Sequence, residues 1–376
     1  MRLATLRGNK LYADAVNWHP QRKLLEMIQS RQKILMIRFS SFGDVTQSLS
    51  LPTRLAELSH LDGSGSDIHW VTRKEFAPLL QGHPFISRVW SLDRSTGFRG
   101  LLTLIRQLQK ERFTHIYDAH NNLRSHLICW FLRPPLAVSR LFDPPLFARK
   151  SQKRWKRFLL FQFRINRFEM PFSGQRDLLE PLKAWGLSSE LPPAPQIYLE
   201  PSSVFKVKED LKAFLGNSSF ITVAPSAAHL LKRWPVAHFK KLLEMSSAKK
   251  FVCLGGPGDS FIEELVQVDP SRILNRAGYF SLQESSAAIS LSQGLITNDT
   301  GLLHVAEQLG KKTIALMGPA PFGFPSRETT QIMEIALPCR PCSKHGQGPC
   351  VNEKFHRCLV DITPEQVHKE LQTWLS

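Results

Sequence analysis

The sequence predicts an α/β protein built from two doubly wound, Rossmann-like domains, and three observations carry that prediction. Short apolar runs alternate with helical periodicity from residue 33 onward. The alternation stops at a proline-rich stretch, Leu191-Pro192-Pro193-Ala194-Pro195, and starts again at Phe220. The chain has 376 residues, more than one core usually fills, since single cores rarely grow past about 250–300 residues. Strands alternating with helices argue for parallel sheets covered on both faces.

Residues 1–30 begin polar and carry one short helical pattern at residues 22–28, so they read as a peripheral segment. The first domain is placed at residues 31–195, with strands expected at residues 34–39, 68–71, 86–92, 115–117 and 136–141. Residues 97–112 set Leu101, Leu102, Leu104, Ile105 and Leu108 on one helical face. A second helix is expected over residues 176–185. The proline cluster marks a stiff connection, and the second domain is placed at residues 196–376. Its strands are expected at residues 221–224, 251–254, 273–274, 295–297 and 313–317. Thr363 as N-cap and Pro364 at the first helical position open a closing helix.

Lys and Arg number 49 against 32 Asp and Glu, a formal charge of +17. Such a balance calls for an anionic partner. Much of it is concentrated in segment 147–165, where RKSQKRWKRFLLFQFR sets basic residues, with Trp155 among them, ahead of Phe158, Phe161 and Phe163. The pattern fits a surface lying on an anionic membrane, and it also fits a solvated basic helix covering its own core. No nucleic-acid recognition motif accompanies the charge, so nucleic acid is not expected as a partner. No apolar run approaches the ~18 residues of a membrane span. The N-terminus lacks the apolar core of a signal peptide, so a cytoplasmic protein is expected.

Four stretches place chemistry at strand ends. After residues 34–39, Ser40, Ser41, Phe42, Gly43 and Asp44 form a turn with a carboxylate entering the next helix. On its own this is an ordinary capped helix start. After residues 221–224 come Ser226 and then Lys232-Arg233-Trp234-Pro235, where a lysine can reach toward a phosphate. After residues 251–254 come Gly255, Gly256, Pro257, Gly258 and Asp259, a place where a nucleoside could lie with Asp259 or Glu263 at its ribose. Residues 298–304 read Asn298-Asp299-Thr300-Gly301-Leu302-Leu303-His304 and open a helix that Gly310 closes. The N–H groups of Thr300, Gly301 and Leu302 can face a phosphate at that helix start, and Gly301 lets the backbone come close.

These stretches, NDTGLLHVAEQLGKKTIALMGP (298–319), ILMIRFSSFGDVTQSLSLPTRL (34–55), ITVAPSAAHLLKRWPVAHFKKLL (221–243) and FVCLGGPGDSFIEEL (251–265), resemble in order the bacterial heptosyltransferase family, glycosyltransferases of the lipopolysaccharide inner core. The resemblance implies the glycosyltransferase-B architecture, two such domains facing a central cleft. It implies an inverting transfer of a heptose from ADP-heptose to a lipopolysaccharide core acceptor, without a catalytic metal. Asp44 matches the family's base and Lys232 its phosphate-binding lysine. Ser41, Gly43, Ser226, Gly256, Asp259, Asp299, Thr300, Gly301, Leu302 and His304 fall in its donor-binding region. The enzyme is then expected on the inner face of the cytoplasmic membrane, as a peripheral protein. The alternatives are another nucleotide sugar on the same fold, or a non-catalytic polyanion- or lipid-binding protein.

Six cysteines remain. Cys339, Cys342, Cys350 and Cys358 lie in a glycine-containing segment, 338–358, and a structural zinc is expected there, with four reduced thiols as the alternative. Cys129 and Cys253 sit in apolar runs and are expected in the core.

Overall fold

The computed structural model describes residues 32–58, 65–133 and 144–374. The peripheral segment 1–30 and the strand expected at residues 136–141 lie outside the described residues.

In the first half, β1 (Gln32–Ile37) leads through α1 (Phe42–Gln47) and α2 (Leu51–Ala56) to β2 (Ser66–Arg73) and β3 (Ile86–Leu92). Then come α3 (Gly97–Gln109), β4 (His115–Asp118), α4 (Leu123–Leu132), β5 (Leu146–Arg149), α5 (Arg154–Phe163) and α6 (Gly174–Leu179). The second half opens with α7 (Pro201–Leu215), β6 (Phe220–Ala224), α8 (Val236–Met245), β7 (Lys250–Cys253), α9 (Glu263–Val266) and β8 (Ile273–Asn275). It continues with α10 (Leu282–Leu291), β9 (Leu295–Asn298), α11 (Gly301–Leu309), β10 (Thr313–Leu316), β11 (Thr330–Met333), α12 (Arg357–Val360) and α13 (Pro364–Gln372).

The strands form two sheets, ordered β3-β2-β1-β4-β5 and β11-β10-β9-β6-β7-β8. Neighbouring strands pair in parallel throughout. The central strands β6 and β9 are buried along their whole length, which is why they read as unbroken apolar runs. Edge strands carry a weaker signal. β11, with sequence TQIM, buries only Thr330, and the sequence pattern missed it. α7 was missed for the same reason, since only Val207 and Leu211 of its 15 residues are buried.

Strand order reverses between β1 and β4 in one sheet and between β6 and β9 in the other. Ligands of such sheets bind outside the carboxyl ends of the strands at that switch point. One cluster of buried apolar side chains runs from Ile34, Met36 and Trp70 of the first sheet to Val207, Ala287 and Val305 of the second half, so the two halves share packing. Gln196, just past the proline cluster, donates its backbone N–H to Gln308 O at 2.7 Å. Its Oε1 accepts from Thr53 Oγ1 at 2.6 Å.

The basic segment departs from its expected form. β5 takes its first part, and Arg149 Nε meets the fully buried Asp118 at 2.8 Å. Lys150 Nζ lies 3.3 Å from Asp177, and Lys153 pairs with the same carboxylate. These cations are paired with buried carboxylates of the fold. Arg154 and Lys156 stay exposed on α5.

Candidate active site

The segments that leave β1, β4, β6 and β9 at the two switch points line one open cleft of about 530 Å³, joined by residues after β5 and β10. From the first half it takes Arg38, Ser41, Gly43, Asp44, Gln47, His120, Asn121, Lys150 and Arg157. From the second half come Lys232, Asp299, Thr300, Gly301, His304, Phe322, Lys344 and His345.

Asp44 stands in the first turn of α1, whose N-cap is Ser41. Its Oδ2 accepts from the Ser41 N–H at 3.0 Å and the Ser41 hydroxyl at 2.9 Å. Its Oδ1 lies 2.7 Å from Arg38 Nη2. Burial opposes ionisation, but Arg38, Lys150 and the two Ser41 hydrogen bonds outweigh it and hold the carboxyl far below the usual range. Asp44 is therefore a carboxylate at any physiological pH. Arg38 is itself buried and donates to Ala119 O at 2.5 Å.

Across the cleft, Thr300 caps α11 by accepting from the Leu302 N–H at 3.2 Å. Gly301 is required there by close approach: a Cβ would lie 2.0 Å from the Phe42 ring of α1. The two helix starts therefore meet almost in contact. Lys232 Nζ is 2.7 Å from Asp299 Oδ2, with both side chains largely buried. An incoming anion at Lys232 must compete with that carboxylate. His304 bridges Glu307 and Gln47, at 2.8 and 3.1 Å.

The other sequence-selected residues stand apart from this cleft. Asp259 accepts from Ser226 Oγ at 2.6 Å and from the Gly256 N–H at 2.7 Å, so both its oxygens tie the ends of β6 and β7 together. Leu302 contributes its N–H to the Thr300 cap.

Cys339, Cys342, Cys350 and Cys358 do gather, around one void of about 10 Å³ that Leu231, the neighbour of Lys232, also lines. Their loop reaches the cleft: Lys344 and His345 line it, and a Cβ at Gly346 would lie 2.5 Å from Lys232 Cγ. Yet among the described residues no three His, Cys, Asp or Glu side chains are grouped to hold a metal ion. The expected zinc finds no support in this geometry. None of the four is in a disulfide, and burial pushes the Cys358 thiol up to about 11 and raises Cys342. Metal analysis of the purified protein decides the expected site: one equivalent of zinc keeps it, and no zinc with all four thiols open to alkylation in the folded state removes it. Cys129 and Cys253 are core residues, as expected.

Sequence reasoning missed Arg38, Gln47, His120 and Asn121, and it turned Lys150 and Arg157 the wrong way. His120 follows β4, and burial together with Arg38 pushes its imidazole down to about 4. It is thus neutral at physiological pH, and its Nδ1 has no protein partner. Asp118, fully buried, shapes that loop by accepting the His120 and Asn121 N–H groups at 3.1 and 2.8 Å.

Two Rossmann-like sheets whose switch points open onto a single cleft, with a carboxylate on one wall and a lysine and helix start on the other, form the glycosyltransferase-B architecture. The chain belongs to glycosyltransferase family 9 (heptosyltransferase), whose sequence profile matches residues 101–356. It is 28% identical over 368 residues to lipooligosaccharide heptosyltransferase 2 of Haemophilus ducreyi, covering 92% of this chain and 99% of that protein. Its fold is similar to the family 9 glycosyltransferase of Veillonella parvula (TM-score 0.72, 20% identity, 92% and 98% of the two chains). The E. coli ADP-heptose lps heptosyltransferase II has the same fold (TM-score 0.66, 20% identity, 92% and 98%).

Proposed function

We propose that the protein transfers a heptose from ADP-heptose to a lipopolysaccharide inner-core acceptor, with inversion at the anomeric carbon. One observation carries the reading: Asp44 and the Lys232–Asp299–Thr300–Gly301 group stand on opposite walls of one cleft. The acceptor oxygen attacks the anomeric carbon while the bond from that carbon to the phosphate oxygen breaks. ADP leaves with the bond's electron pair, and Asp44 takes the acceptor's proton. A carboxylate with a depressed pKa is a weak base, but the acceptor hydroxyl becomes strongly acidic as its new bond forms, so a late proton transfer suffices. Lys232 and the first N–H groups of α11 face the charge that grows on the diphosphate, where preorganised donors act most strongly. The reading needs no metal. The names of relatives support donor and acceptor: the E. coli enzyme is an ADP-heptose lps heptosyltransferase, and the Haemophilus relative acts on lipooligosaccharide.

The test is a panel of nucleotide sugars offered to the purified protein, read by melting temperature and then by transfer. ADP-heptose should stabilise most. A larger shift with another nucleotide sugar replaces the donor and keeps the fold and base; no shift with any of them sinks the transferase reading.

Among the described residues no helix is long and apolar enough to cross a membrane. We place the membrane-facing surface on α5, where Trp155, Phe158 and Phe163 are exposed by 68%, 49% and 57% beside Arg154 and Lys156. Such rings anchor at the headgroup level, and each nearby cation adds about 1 kcal/mol at an anionic leaflet. Changing Trp155 and Phe158 to Ser and Arg154 and Lys156 to Gln should abolish sedimentation with anionic liposomes, and transfer to a short soluble acceptor should survive. Unchanged sedimentation would move the contact elsewhere.

A further inference from the structure

Gln47 is a buried amide in the cleft wall, one helical turn beyond Asp44 on α1. Its Nε2 lies 3.1 Å from Nε2 of His304, which stands one turn beyond Gly301 on α11. The other imidazole nitrogen, Nδ1, is 2.8 Å from the carboxylate of the fully buried Glu307. A carboxylate only accepts, so Nδ1 carries the proton and donates it. Nε2, on the far side of the ring, can then accept from the Gln47 amide. Glu307 is fixed in turn, since its second oxygen accepts the backbone N–H groups of Ser326 and Arg327, the latter at 2.9 Å. The chain Gln47–His304–Glu307 thus starts beside the base and ends in the core of the other half.

The far side of Gln47 is equally confined. A Cβ at Gly174, on α6, would lie 1.8 Å from Gln47 Oε1. The amide fills the space that any larger residue at 174 would need. Gly174 is not in the left-handed region, so its lack of a side chain answers to space and not to backbone conformation. A second tie, from Gln308 Nε2 to Thr46 O at 3.0 Å, holds the end of α1 to the same helix α11.

We propose that Gln47 is a positioning residue, whose bridge to His304 sets Asp44 relative to the phosphate-binding start of α11. In this role it acts through the distance between the two walls that carry Asp44 and the α11 N–H groups. Displacements on the order of 1 Å between reacting groups cost up to ~10²-fold in rate, so a residue that only spaces them has a kinetic signature of its own.

The proposal rests on Asp44 as base, and the experiment separates the two. Gln47→Ala should lower kcat roughly 10–10²-fold, measured well below both melting points, with the KM for donor unchanged. A residue that merely holds the halves together would lower the melting temperature and leave kcat. Gly174→Ala should reproduce the kcat loss by pushing the amide away, yet be nearly neutral in the Gln47→Ala background, where the space is free. Equal cost of Gly174→Ala in both backgrounds, or a normal kcat in Gln47→Ala, overturns the bridge. Absence of heptose transfer by the wild type would sink the proposed function instead. The bridge is then read from amide exchange of Val45 and Thr46, which Gln47→Ala should speed; unchanged exchange overturns it.

Discussion

Asp44→Asn should lower transfer by ~10²–10⁴-fold, the range of a lost general base, and leave ADP affinity as it was. Asparagine keeps the size of the side chain and an oxygen for the Ser41 N–H and hydroxyl. It removes the negative charge that faces Arg38 at 2.7 Å. Arg38 is 6% exposed and keeps only its bond to Ala119 O, so some loss of thermal stability is expected, because a buried charge without its partner is costly. Comparing kcat at a temperature well below both melting points separates the two effects. The pH dependence gives a second reading of the same residue. A depressed carboxyl pKa keeps the base form present above the ordinary value and loses it only as pH falls through the lower, folded value. Transfer by the wild type should thus show no acid limb from Asp44 down to about pH 4, the usual aspartate range. Near-normal turnover in Asp44→Asn would move the base elsewhere, with Asp299 next in line.

Both sheets and the turns that bear Asp44 and Thr300 were legible because each is local. An apolar strand, a glycine and a helix start lie within ten residues, and periodicity reads them directly. The residues that tune Asp44 were not, because adjacency at a switch point is non-local. Ile37 pairs with Asp118 across β1 and β4, and this register alone brings Arg38 to Ala119 and sets His120 beside the cleft. Nothing in the spacing of two segments some eighty residues apart announces it. Lys150 and Arg157 were misread for a different reason. A basic run with aromatics looks the same whether its cations face lipid or a cleft, and here Asp177 draws Lys150 inward while Arg157 stacks 4.5 Å from the Phe322 ring. Asp259 is held by its own turn, with one oxygen accepting from Ser226 and the other from the Gly256 N–H.

Lys232→Ala should weaken ADP binding by ~10–10²-fold, the scale of one charge-assisted hydrogen bond. Transfer should fall further, by ~10²–10³-fold, because the diphosphate carries more charge in the transition state than in the bound donor. The pairing with Asp299 makes the single variant ambiguous. Removing the lysine leaves a carboxylate that is 5% exposed facing the space where the diphosphate would sit. Part of the lost affinity would then be repulsion from Asp299 rather than loss of the lysine contact. The double variant Lys232→Ala/Asp299→Asn separates the two. If repulsion dominates, it should recover most of the ADP affinity that Lys232→Ala lost, while transfer stays low for want of the cation. If the contact dominates, the double variant binds as weakly as the single one. Titration calorimetry with ADP and single-turnover rates with saturating donor give the two quantities independently. Unchanged ADP affinity in Lys232→Ala would mean that Lys232 keeps its bond to Asp299 when the donor binds, and that the diphosphate is held by the α11 N–H groups without it.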